Sequence, residues 1–329
     1  MFRVSPFEAL RQIFPGKPTY TEKDIPNLSG KVYLVTGANT GLGKEVAQIL
    51  FSKHATVWIA ARTEEKGRDA IQSIREAFPW SKGTLEFLRL DLSDLSTIKD
   101  SAETFLAKEK RLHVLFNNAG VMFPPAGSKS AQGYELQIGT NNLGPFLFTK
   151  LLTPALIETA KESPPGSVRV LWVSSSAAEL FIPVNGAIEF DNLDYKRDIF
   201  YMNKYGVSKA GNYYHSTEFA RRHTKDGIVS VALNPGNLNT DLVRNCDTVT
   251  GLCISSIVHP RIYGAYTELF AGLSDEVTLE KSGSWIVPWG RFSDIRKDLL
   301  QGSKPQSEGG TGIAQKFWEW TEDQVKPYV

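Results

Sequence analysis

Cysteine is scarce in this chain of 329 residues: Cys246 and Cys253 are the only two. Their spacing matches no usual zinc pattern, and two thiols cannot build a disulfide framework, so no metal site is expected and a reducing, cytoplasmic setting fits best. Charge of one sign is not in excess either. Lys and Arg number 37 against 36 Asp and Glu, a net charge of +1, which leaves no field to draw in nucleic acid or an anionic membrane. Long hydrophobic runs are missing. No stretch approaches the roughly 18 apolar residues of a spanning helix, and Arg3, Glu8 and Arg11 interrupt the N-terminus, so neither a signal peptide nor a transmembrane segment is expected. FEALRQIF in that region reads either as a packed tail or as an amphipathic turn or two touching a surface. Internal repeats and low-complexity linkers are absent as well. What remains is 41% hydrophobic and 22% charged, the composition of a globular protein and not of a disordered one.

From Lys31 onward, short apolar runs alternate with longer amphipathic ones. KVYLVTG, ATVWIAAR, TLEFLRLDL, LHVLFNNAG, VRVLWVSSS and IVSVALNPG are rich in Val, Leu and Ile, without the alternation of a half-exposed strand, and read as strands buried on both faces. Between them GKEVAQILFSK, EEKGRDAIQSIREAF, DLSTIKDSAETFLAKE, YELQIGTNNLGPFLFTKLLTPALIETA and KYGVSKAGNYYHSTEFARR have helical length and pattern. The expected fold is α/β: a single Rossmann-type, doubly wound parallel sheet with helices on both faces. SGSWIVP, near Ser282, supplies the last of about seven strands. Residues 1–29 form an N-terminal extension and 30–329 one dinucleotide-binding catalytic domain, with pocket-forming segments at about 178–203 and 241–300. Ligands of such sheets gather at the carboxyl ends of the strands. Those ends carry Gly37, Arg62, Asp91, Asn118, Ser175 and Asn234, which one site would use together.

The first strand runs into TGANTGLGKE, with glycines at 37, 41 and 43. The familiar GxGxxG fails here because Asn39 and Leu42 stand where glycine is needed, and the phosphate-loop pattern fails at Ala38 and Glu45. The TGxxxGxG spacing still gives a turn of little bulk feeding a helix whose free N–H groups favour a pyrophosphate. Gly37, Asn39, Gly41, Leu42 and Gly43 are therefore the candidate cofactor residues of this turn; tight packing alone is the bland alternative. Where an NAD site tends to offer a carboxylate to the ribose, this chain offers Ala61 and Arg62. An arginine suits a 2′-phosphate, so NADPH is favoured over NADH, with Lys66 assisting; a solvated arginine and lysine are the other reading. Asp91 either accepts from the adenine amino group or caps the next helix. In NNAG, Asn117 and Asn118 brace the sheet edge or make a turn.

Tyr205 and Lys209 share a helical face. A phenol titrates near about 10 and transfers protons poorly at neutral pH unless a cation stabilises its phenolate. Lys209 is that cation, which would let Tyr205 give a proton to a carbonyl oxygen while hydride reaches carbon. The pair follows a strand ending in VSSSA, whose hydroxyls stand at the same edge and can hold a substrate oxygen. Strand phase leaves Ser174, Ser175 and Ser176 open. No GxSxG elbow surrounds them, which disfavours a hydrolase.

With TGANTGLG, NNAG, SSS and YGVSK in this order, the chain resembles the short-chain dehydrogenase/reductase family over about residues 30 to 240. The details AR, NLDYKRD and SKAGN are similar to its retinol-dehydrogenase-like, NADP-dependent branch. The resemblance implies Tyr205 as proton donor, Lys209 as the residue that holds the ribose and lowers the phenol's pKa, and Ser175 as the substrate-orienting serine. TNNLGPF resembles the family's NHLGHF, which implies Asn141, not Asn142, as the member binding a water in the proton relay. NPGNLNT resembles the loop beside the nicotinamide, which implies Leu238 and Thr240 against the carboxamide and phosphates. The resemblance leaves a homodimer open. Departures are the thirty residues between Ser175 and Tyr205, longer than in many relatives, Pro145 in place of a histidine, and no counterpart of the membrane-anchoring helix of several retinol dehydrogenases. They put retinoid specificity in doubt.

The expected pocket walls, Met122 to Gln132, Leu180 to Met202 and the region after Leu242, are rich in Phe, Trp, Tyr, Ile and Pro, with no arginine pair for a di-acid or sugar phosphate. They point to a bulky, largely apolar ketone or alcohol of secondary metabolism, or else are ordinary core. The leading reading is an NADPH-dependent carbonyl reductase or alcohol dehydrogenase; the alternative is a non-redox NADP-binding scaffold of the same fold.

Overall fold

The computed structural model describes residues 6–183, 188–239 and 258–329. Thr240, both cysteines, and the parts of the expected pocket segments at 184–187 and 241–257 lie outside the described residues.

The sheet holds β1 (Val32–Thr36), β2 (Thr56–Ala61), β3 (Thr84–Arg89), β4 (Val114–Asn117), β5 (Val168–Val173), β6 (Ile228–Leu233), β7 (Trp285–Val287) and β8 (Arg291–Ser293). Their order is β3-β2-β1-β4-β5-β6-β7-β8, and every pairing is parallel except that of β8 on β7. The seven expected strands are joined by an eighth. Its three residues, RFS, are too short a run to stand out by periodicity.

Alternate residues of one strand feed opposite cores. Leu34, Trp58, Leu115 and Val170 pack to one side, and Tyr33, Val35, Val57, Ile59 and Leu171 to the other. Both faces are apolar because both are covered, which is why the strands show no polar alternation.

Eleven α-helices are described: α1 (Pro6–Ile13), α2 (Gly41–Ser52), α3 (Glu64–Ala77), α4 (Ile98–Lys108), α5 (Leu136–Ile138), α6 (Gly144–Lys161), α7 (Ala177–Leu180), α8 (Tyr201–His223), α9 (Arg261–Leu273), α10 (Lys297–Ser303) and α11 (Ile313–Val325). Helices α2, α3 and α9 cover one face of the sheet, and α4, α6 and α8 the other. Between α5 and α6 the chain makes a π-helical turn, Gly139–Leu143. Such a turn re-aims the side chains beyond it, and it carries Asn141 and Asn142. Among the described residues no helix is long and apolar enough to cross a membrane.

Two helices, α11 and α1, lie outside the doubly wound core. Helix α11 packs over α8 and α6, stacking Phe317 on His215 at 4.8 Å and setting Trp318 edge-on to Phe146 at 4.6 Å. Burial pushes the His215 imidazole down to about 3, so the ring is neutral inside this aromatic cluster. Helix α1 is inverted: Gln12 is 4% exposed while Phe7, Leu10 and Phe14 are 69%, 56% and 59% exposed. The N-terminal tail packs, but through its polar side.

Phe317 is fully buried. Phe317→Ala should therefore lower the unfolding free energy by about 3–5 kcal/mol, read from the urea midpoint. A loss within about 1 kcal/mol would show that the α11 contact adds little to the core.

Candidate active site

In this strand order the winding reverses between β1 and β4, and their carboxyl ends frame the crevice where ligands of open α/β sheets bind. Side chains stitch the two ends together. Asn118 Nδ2 donates to the Thr36 carbonyl at 2.7 Å, and the Ala119 N–H donates to Thr36 Oγ1 at 2.9 Å. Asn117 turns the other way, its Nδ2 donating to Thr149 Oγ1 at 2.9 Å. Of the two bracing asparagines, Asn118 is thus the one at the glycine-rich turn.

That turn has a crowded inner side and an open outer one. A Cβ on Gly43 would lie 2.5 Å from Asn118 Nδ2 and 2.8 Å from the Gly37 carbonyl. Gly37 and Gly41 adopt φ of +69° and +56°, which an L side chain rarely takes, and a Cβ on Gly41 would meet nothing within 4 Å. Helix α2 begins at Gly41, so its first N–H groups border open space, a setting that fits a pyrophosphate. Asn39 is half-buried on the same turn. Leu42 and Leu238 both reach Gly264 of α9: a Cβ there would come within 3.1 Å of Leu42 Cδ1 and 2.2 Å of Leu238 Cδ1. The loop after β6 therefore meets the glycine-rich turn. Thr240, the other residue expected from that loop, lies outside the described residues.

Arg62 comes directly after β2 and Lys66 lies in the first turn of α3; both are exposed. Asp91 Oδ1 accepts from the Ser93 N–H at 2.9 Å and from Ser93 Oγ at 2.6 Å, so this carboxylate organises the turn before α4.

Around Tyr205 the three serines separate. Ser174 Oγ donates to the Lys209 carbonyl at 2.7 Å and faces the helix. Ser175 lies beside the Tyr205 hydroxyl, whose pKa it lowers, and accepts the Ala177 N–H at 3.2 Å. Ser176 caps α7. Lys209 Nζ lies 5.7 Å from the Tyr205 ring centroid and donates to the Val173 carbonyl at 2.8 Å, an acceptor shared with Asn212 Nδ2 at 3.0 Å. Asn141 is buried beneath this group. Its Oδ1 accepts the Val121 N–H at 2.8 Å, and its Nδ2 donates to the Val121 carbonyl and to Ser208 Oγ, each at 3.0 Å. A Cβ on Gly120 would meet Asn141 Oδ1 at 3.2 Å and Lys209 Nζ at 3.4 Å, so these two side chains converge. Asn142 instead donates to the Ser208 carbonyl and Asn212 Oδ1, both at 2.8 Å, holding α8. Sequence reasoning singled out neither Ser208 nor Asn212. Their signal was the helical spacing that puts Asn212 one turn beyond Ser208 and next to Lys209.

Met122, Phe123, Ala177 and Tyr205 form a small apolar cluster of their own, flanked by Tyr201 and Met202. Phe123 lies edge-on to both Tyr201 and Tyr205, at 4.8 and 5.5 Å. A cavity of about 770 Å³ opens elsewhere, between α6, α11 and the far end of α8, where Phe219, Arg221 and Arg222 line it. From Tyr205 to Arg221 the helix rises about 24 Å, so that cavity is separate from this chemistry.

Electrostatics depart from expectation at the phenol. Burial raises the Tyr205 pKa, opposed by the neighbouring Ser175 hydroxyl, and Lys209 is not what moves it. Burial also pulls the Lys209 ammonium down to about 8, partly offset by Glu268. Glu268, on α9, is fully buried with no hydrogen-bond partner for either oxygen among the described residues, and burial pushes it up to about 8. Desolvation thus outweighs the neighbouring charge in the protein by itself.

A family model described as short chain dehydrogenase matches residues 31–187. A short-chain dehydrogenase/reductase of Phomopsis amygdali is 55% identical over 326 residues, covering 98% of this chain and 97% of its own. One from Emericella nidulans is 51% identical over 315 residues, covering 95% and 98%. Among solved structures, a protein of Mycobacterium paratuberculosis superposes with a TM-score of 0.67 at 28% identity, covering 93% of this chain and 97% of its own. The NADPH-bound carbonyl reductase from chicken fatty liver gives 0.58 at 21% identity, covering 79% and 96%, a likeness of fold. None of these likenesses singles out the retinol-dehydrogenase-like branch.

The buried carboxyl group predicts a pH signature. Glu268 holds its proton in the folded protein up to about 8 but releases it near 4.5 when unfolded. The folded state then binds more protons than the unfolded one between those values, so stability falls as pH rises through that window. Glu268→Gln, measured by thermal unfolding at pH 5 and pH 8, should have a smaller drop in Tm than the parent. Equal drops would show that Glu268 does not titrate in that window.

Proposed function

Because the chain belongs to the short-chain dehydrogenase/reductase family, we propose that it is an NADPH-dependent oxidoreductase interconverting a ketone or aldehyde and an alcohol on a bulky, largely apolar metabolite. The observation that carries this reading is the convergence of Ser175, Tyr205 and Lys209 at the carboxyl edge of the sheet. The bound nicotinamide would supply hydride in reduction or accept it in oxidation. Tyr205 Oη gives its proton to the carbonyl oxygen, and Ser175 Oγ holds that oxygen in place. Lys209, anchored on the Val173 carbonyl, keeps its ammonium close to the phenol, and Asn141 fixes the backbone at Val121 that borders the reacting oxygen. The raised pKa keeps Tyr205 protonated before turnover, as a proton donor needs.

The cluster of Met122, Phe123, Ala177, Tyr201 and Met202 supports an apolar substrate, such as a polyketide, terpenoid, steroid or aromatic secondary metabolite. The cofactor preference is supported by Arg62 and Lys66, two exposed cations beside the end of β2, where a 2′-phosphate would lie. A non-redox scaffold has no chemical need for a serine, a phenol and an ammonium at one point, so the redox reading is preferred.

Tyr205→Phe should reduce turnover of a hydrophobic ketone roughly a hundredfold or more while leaving NADPH affinity intact; surviving turnover would remove Tyr205 as proton donor. Arg62→Ala should lower the preference for NADPH over NADH about tenfold or more, for the loss of a charge-assisted contact. An unchanged ratio of kcat/KM for the two cofactors would refute the 2′-phosphate contact.

A further inference from the structure

The inverted helix α1 raises a physical question. A tail that packs to hide apolar surface turns Phe and Leu inward, yet here Phe7, Leu10 and Phe14 face water while Gln12 is buried. What residues 12–16 offer instead is a set of polar groups. Gln12 Oε1 accepts from Asn234 Nδ2 at 2.9 Å, and Gln12 Nε2 donates to Glu179 Oε2 at 3.0 Å. One residue on, the Ile13 carbonyl is bonded by His259 Nε2 at 3.0 Å. The Gly16 carbonyl accepts from Trp289 Nε1 at 2.9 Å.

Three of these four partners belong to, or lie against, the loop after β6. Asn234 Oδ1 accepts the Gly236 N–H at 3.0 Å, and the bond from Gln12 decides which end of the Asn234 amide is free to do so. His259 is tied to the loop through its backbone, its N–H donating to the Asn237 carbonyl at 2.8 Å and its carbonyl accepting the Asn239 N–H at 3.1 Å. The Trp289 ring lies so close to Gly236 that a Cβ there would be 2.6 Å from it. Glu179 lies in α7, directly after the serine triplet, and its second oxygen accepts the Arg296 N–H at 3.0 Å. Residues 12–16 thus hold one loop by three separate contacts and reach the turn bearing Ser175 by a fourth.

We propose that Gln12 is a positioning residue: with Ile13 and Gly16 it holds the Asn234–Leu238 loop in the shape that receives the nicotinamide half of the dinucleotide. This rests on the cofactor reading above. The extension is then part of the catalytic unit and not an appendage to it. Removing Gln12 leaves a buried amide and a buried carboxyl oxygen without partners and frees Asn234 to turn away from Gly236. None of these four bonds reaches the glycine-rich turn or Arg62, which would hold the adenine half.

The test compares NADPH with its adenine half alone, adenosine 2′,5′-bisphosphate, by titration calorimetry and by the fluorescence of bound NADPH. Gln12→Leu keeps most of the volume and removes both bonds. It should bind NADPH about tenfold more weakly, with altered nicotinamide emission, and bind the bisphosphate as the parent does. Trp289→Phe, which removes the donor to Gly16 together with the ring edge against Gly236, should shift the two ligands in the same selective way, and it decides the matter if Gln12→Leu does not fold. Equal weakening of both ligands would reduce Gln12 to a general stability contact, and no change in either would make it idle; both overturn the proposal. A parent protein that binds neither NADPH nor NADH would instead overturn the cofactor reading, and the proposal with it.

Discussion

A single carbonyl oxygen, that of Val173 at the end of β5, fixes the working parts of this protein relative to one another. Lys209 Nζ and Asn212 Nδ2 both donate to it, and the next residue, Ser174, returns a bond to the Lys209 backbone. In a parallel sheet the last carbonyls of each strand have no neighbour beyond the edge and need partners from elsewhere. Here the partner is the helix that carries Tyr205. Satisfying the strand end and orienting the phenol are one arrangement, and Ser175 meets Tyr205 because β5 and α8 are joined just below it.

Much of this was legible in the sequence, because the signals were strong ones. Six apolar runs separated by helical patterns define a parallel sheet, and the order of TGANTGLG, NNAG, SSS and YGVSK assigns its carboxyl edge. The structure brings Ser175, Tyr205, Lys209 and Asn141 together there. What sequence could not supply was strand phase and desolvation. Ser174 and Ser175 differ by one residue and face opposite ways, and only coordinates say which. A helical spacing suggests that a lysine acidifies its neighbouring phenol, but how far burial raises that phenol depends on residues such as Phe123, remote in the chain. The extension was illegible for another reason: FEALRQIF has the composition of an amphipathic helix, and nothing in composition says that its polar side faces inward.

Burial also ties the two faces of the sheet together electrically. Lys209 comes from α8 on one side and Glu268 from α9 on the other, and each moderates the other's shift. Neither is compensated by a direct hydrogen-bonded ion pair, so both are held in less charged forms than they would take in water. A residue with this cost and no structural bond needs the rest of the core to bear it, which α9 provides through Leu269 and Phe270.

The two outermost strands bear on how the protein behaves among its neighbours. An open sheet leaves a row of unpaired backbone groups at each margin, and such margins recruit other chains. At one margin β8 is only three residues long and begins with Arg291; at the other β3 carries Glu86, paired with Lys108 at 3.5 Å, and ends in the exposed Arg89. Brevity protects the first and charge the second, so strand-to-strand aggregation of folded molecules is discouraged at both ends of the sheet.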